Sequence, residues 1–166
     1  AIALREVDTI EAASGVIHSE MPQQTNGLMR GFQLWINLPA RDKMSDPAYQ
    51  EFSSAAIPEV ALDAGRVRVL AGEFGGVRGV IEDSATDVLY LDVTLAAAAR
   101  FSLPLSETHN AFVYVFEGAG RLAGQELQTP SLAVLGAGDA VEIAAGEEGA
   151  RFILVAGRPI GEPVVQ

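Results

Sequence analysis

The second half of this sequence is written in the two-residue period of a β-sheet, and glycine-rich turns interrupt that period at short intervals. Val88 to Leu95 states it most cleanly: Leu89, Leu91, Val93 and Leu95 point one way, and Tyr90, Asp92 and Thr94 the other. Val67 to Ala71 alternates in the same sense and runs into Gly72-Glu73-Phe74-Gly75-Gly76. Phe101, Leu103 and Leu105 continue the pattern until Pro104 and Ser106 break it. His109 to Gly118 is apolar on both faces, as a strand covered on both sides must be. Turns are expected at Ala96–Ala99, Gly118–Gly120, Gly136–Asp139 and Gly146–Gly149, with Ala140–Ala144 and Arg151–Ala156 closing the sheet. Short strands divided by such turns specify a sandwich or a barrel, and no long helical pattern competes with them.

The first half is less regular. Val7 to Ile10 alternates weakly, and Asn26-Gly27 is a tight-turn signal because both residues tolerate positive φ. Gly31 to Leu38 reads as a strand, with Phe32, Leu34, Ile36 and Leu38 on one face and Gln33, Trp35 and Asn37 on the other. Pro39 ends it. Arg41 to Gln50 reads as a charged, proline-broken connector with a turn of helix near Pro47–Gln50. Ile57 is pushed to extended geometry by Pro58.

The charge balance narrows the partners. The 166 residues carry 11 basic and 22 acidic side chains, a formal charge of −11, which repels phosphate backbones and argues against direct contact with nucleic acid. There is no cysteine, so disulfides and thiolate metal sites are excluded. Charged residues and glycines interrupt every apolar run before bilayer length, and the first residues lack the pattern of a signal peptide. The expected location is the cytoplasm.

One pair of residues suggests chemistry. In Gly15-Val16-Ile17-His18-Ser19-Glu20-Met21-Pro22, His18 and Glu20 stand at i, i+2, so an extended backbone sets imidazole and carboxylate on one face. Such a pair can grip one transition metal, and equally suits an exposed polar face. Gln33 and Trp35 on a neighbouring strand face could line a pocket there, or Trp35 could simply fill the interior.

The wording around the pair is specific. SGVIHSEMP, GFQLWINLPARDKM, IPEV and AGEFGGVRG, in that order, resemble the pirin family, as do HNAFVYVFEG and LAVLGAGDAVEI further on. The resemblance runs from about Val7 to Gln166. It implies an all-β, cupin-type fold, a double-stranded β-helix, with one complete C-terminal barrel and part of a first. Residues 1–50 would be a remnant of the N-terminal cupin barrel, lacking its N-terminal part, and residues 51–166 the C-terminal barrel.

The same resemblance implies a site. Pirins hold one iron through three histidines and one glutamate, and His18 and Glu20 match the third and fourth of those ligands. Glu20 would also take the proton of a substrate hydroxyl, with Gln33 and Trp35 lining the substrate pocket. The first two ligands form a His-x-His motif that has no counterpart among the residues before His18, so half of the iron(II) donor set is missing. In metal-binding cupins a His-x-His also falls where this chain has His109-Asn110-Ala111, followed by Glu117; a structural or surface role is expected for His109. The function implied is that of iron-dependent quercetin 2,3-dioxygenases acting on a flavonol-like molecule. The alternative is a metal-free or iron-switched protein-binding co-regulator of transcription. An open edge on the first barrel would invite a second copy, giving a homodimer.

Overall fold

A computed structural model of the chain describes residues 6–19, 21, 26–27, 31–82 and 85–163. Its regular elements are all strands, β1 to β12, and the expected all-β class holds. The chain divides into two compact units, residues 1–56 with 160–166, and residues 57–159.

In the first unit β1 (Glu6–Glu11) pairs antiparallel with β2 (Ala48–Ser53), from Glu6 opposite Ser53 to Glu11 opposite Ala48. β2 takes the place of the helical turn expected near Pro47. Tyr49 and Phe52 suit a pleated surface, and the ladder to β1 supplies bonds that one helical turn would leave unmade. Between the two strands, Gly31–Leu38 forms no ladder, contrary to the strand its alternation suggests. Alternation selects a face only where a neighbouring strand satisfies the backbone, and no strand among the described residues forms a ladder with this segment. The Ala40 amide is instead capped by the Glu162 carboxylate at 2.8 Å.

The second unit is built on one eight-stranded sheet. Its path runs β10 (Gln125–Gln128), β9 (Asn110–Leu122), β12 (Ala140–Gly157), β7 (Leu89–Leu95), β4 (Gly65–Ala71) and β3 (Glu59–Leu62). β11 (Ser131–Val134) adds to β9, and β8 (Arg100–Pro104) adds to β12. A small ribbon joins β5 (Glu73–Phe74) to β6 (Val77–Arg78). Val67, Val69, Leu91, Val93, Val113, Val115, Ile143, Phe152 and Leu154 form the core on one face. The Phe101 ring stacks on Phe74 and meets Phe152 edge-on, each at 5.8 Å between centroids.

The opposite face is covered too. Leu70, Tyr90, Asp92, Arg151, Ile153 and Val155 are all buried. The polar alternates of β7 are therefore not a solvent face, and the both-sides-apolar reading made for His109–Gly118 applies to the neighbouring strands as well.

Two expected turns are strand instead. β9 continues through Gly118–Gly120, and β12 continues through Gly146–Gly149. The register between them shifts from Ala145 to Ala150, so the glycines form a bulge in a long bent pair. The hairpin after β9 turns at Ala123-Gly124, both at positive φ (49° and 81°), the signature of a two-residue turn whose twist matches the strands.

Candidate functional site

The His18 segment is tied at its start. The Ser14 amide donates to the Ser45 carbonyl at 3.2 Å, and the Gly15 amide to the Ala12 carbonyl at 2.6 Å. From there His18 and Ser19 run without regular structure, and the His18 side chain is exposed. Glu20 lies outside the described residues. Gln33 and Trp35 are both exposed, Trp35 at 90%. The structure brings none of His18, Gln33 and Trp35 into the two clefts found in the second unit.

The donor set does not fit a resident iron on its own. Among the described residues no three His, Asp or Glu side chains gather as a metal-binding group. His18 and Glu20 offer two donors, where a facial triad needs three and the implied pirin set has four.

In the second unit, His109 is packed, its side chain only 12% exposed, and Nε2 stands 3.2 Å from the Asp87 carboxylate. Asp87 holds a φ of 53° in the loop before β7. Glu117, the other motif residue, lies 3.8 Å from Arg151 Nη1. Arg151 itself grips Asp92 with both arms of its fork, Nε to Oδ1 at 3.0 Å and Nη2 to Oδ2 at 2.7 Å. Its guanidinium lies 5.0 Å over the Phe116 ring. The hydrogen bond to Asp92 raises the Arg151 pKa against the opposing effect of burial. Burial first, and then the Asp92 charge, push the Tyr90 hydroxyl up to about 12. This cluster is arranged to keep charges paired in a covered sheet face, a structural task. Sequence reasoning missed it. The available signal was Asp92, the one charged side chain in β7.

Two family models match the chain: the pirin domain over residues 1–36, and the pirin C-terminal cupin domain over residues 90–166. The chain belongs to the pirin family. A pirin-like protein of Caulobacter vibrioides is 48% identical over 160 residues, covering 95% of this chain and 58% of its own length. Human pirin is 34% identical over 166 residues, covering 97% of this chain and 57% of its own. Among solved structures, a quercetin 2,3-dioxygenase from Acinetobacter baumannii superposes with a TM-score of 0.74 at 30% identity, over 80% of this chain and 46% of that one. This pirin thus spans a little over half the length of the curated relatives it matches. The fold is the all-β cupin fold. Relatives of this kind point to a metal cofactor in the family, without naming the metal for this chain.

Proposed function

We propose that this pirin carries part of a quercetin 2,3-dioxygenase-type site. His18 and Glu20 are two donors to one iron(II), and Glu20 is also the acceptor of the substrate hydroxyl proton. Gln33 and Trp35 are the walls that meet a flavonol-like molecule. On this reading residues 1–50 belong to the N-terminal cupin barrel and residues 51–166 to the C-terminal one. The observation that carries it is the match of residues 1–36, which contain the His-x-Glu pair, to the pirin domain. The likeness to the Acinetobacter enzyme supports it. The donors beyond this pair must come from groups not assembled among the described residues.

A second reading has its own support. Ile17 (102%), Trp35 (90%), Met44 (79%), Met21 (75%) and Tyr49 (60%) are exposed in the unit that holds His18. Large apolar side chains in such number suit contact with a protein partner, the co-regulator reading.

Metal analysis of the 166-residue chain beside a His18→Ala variant separates the two. About one equivalent of iron, lost in the variant, followed by oxygen uptake with quercetin that falls in Glu20→Gln, is the dioxygenase outcome. Iron without uptake, or no iron in either protein, removes the enzymatic reading and leaves the partner surface.

A further inference from the structure

The second unit holds a cleft that the metal site does not use. Its volume is about 430 Å³, and Leu62, Asp63, Ala64, Phe74, Arg100, Phe101 and Ser102 line it. That is the size of a small-molecule pocket, lined by apolar and polar side chains together. Arg100, Phe101 and Ser102 of β8 form one side of it. β8 pairs with β12 along one edge, and its other edge meets no strand among the described residues. The Ala145 amide donates to the Ala99 carbonyl and the Leu105 amide to the Asp139 carbonyl, both at 2.8 Å. These bonds fix which residues of β8 face β12. By the alternation of an antiparallel ladder, the amides of Arg100 and Ser102 turn to the open edge.

The rim carries both signs of charge, kept apart. Arg100 and Asp63 are exposed and line the same cleft, yet no ion pair joins them, and no carboxylate among the described residues pairs with Arg100. The half-buried Phe74 ring lines the same cleft and is stacked on Phe101. The Ala96 amide bonds the Ala64 carbonyl at 2.9 Å, which ties the β3–β4 turn bearing Asp63 to the turn preceding Arg100.

We propose that this cleft binds a small zwitterionic amino acid with an aromatic side chain. Its carboxylate takes the Arg100 guanidinium and the open-edge amides, its ammonium takes Asp63, and its ring lies on Phe74. A guanidinium with adjacent amides is a strong carboxylate receptor. A ligand of zero net charge meets no opposition from a protein whose formal charge is −11, whereas a plain carboxylate does.

The test is calorimetric titration of the whole chain with L-phenylalanine, 3-phenylpropionate and phenethylamine, the last two each lacking one charge. Saturable phenylalanine binding is expected, about tenfold or more tighter than either analogue. In Arg100→Gln phenylalanine binds no better than phenethylamine, and in Asp63→Asn no better than 3-phenylpropionate. Both side chains are exposed, so the variants fold, and an unchanged amide NMR spectrum away from the cleft verifies it. Absence of saturable binding up to about 10 mM, or affinity indifferent to either substitution, overturns the assignment. None of these readouts depends on metal or on oxygen uptake.

Discussion

Tyr90 shows what burial beside a carboxylate does to a titration. Both lie on the covered face of β7, with Tyr90 at 8% exposure and Asp92 at 1%. Burial, and then the Asp92 charge, disfavour the tyrosinate and raise the hydroxyl from 10.0 to about 12. A group whose folded pKa lies above its unfolded value supports the fold fully below the unfolded pKa and loses that support as pH rises through the folded one. The chain should therefore lose on the order of 2 kcal/mol between about pH 10 and pH 12 through Tyr90 alone. Urea unfolding of the parent and of Tyr90→Phe across that range checks it, and the parent's stability must fall more steeply. Asp92 was legible only as a polar alternate on an amphipathic strand. That its carboxylate is locked to Arg151, 59 residues away, is a fact of strand pairing and not of local pattern.

At the scale of elements, the long β9–β12 pair depends on its bulge. Gly118 sits at a φ of 68°, and a Cβ there would run into the Gly149 carbonyl oxygen. Gly118→Ala should cost about 2–4 kcal/mol, since strain and a backbone collision act together. Gly124→Ala is the control: its φ is 81° but its Cβ would meet open space, so only the backbone term of about 1 kcal/mol remains. Thermal unfolding of the two variants should rank them in that order, and equal midpoints would remove the bulge from the account. Glycine clusters were read as turns because glycine marks both turns and bulges. Only the register of the partner strand distinguishes the two uses. The Ala123-Gly124 turn escaped notice for the converse reason, since alanine seldom adopts positive φ.

For the whole molecule, protection should be unequal. The amides of β7 and β12 lie in a sheet covered on both faces, while Gly31–Leu38 has no ladder. Hydrogen exchange should be slowest in Leu89–Leu95 and Arg151–Val155, and fast in Gly31–Leu38; comparable rates would contradict this architecture. The sequence alone determined the all-β class, the extent of most strands after Gly65, and membership of the pirin family, because a two-residue apolar period and a run of specific motifs are local properties. It also singled out the His18–Glu20 pair, since spacing along the chain is local as well. Tertiary structure alone decided which alternating segments find a ladder, which charges meet inside the sheet, and where the barrel stays open beside β8. Those outcomes depend on which strands become neighbours, and a backbone amide or a buried carboxylate takes whatever partner the topology brings to it.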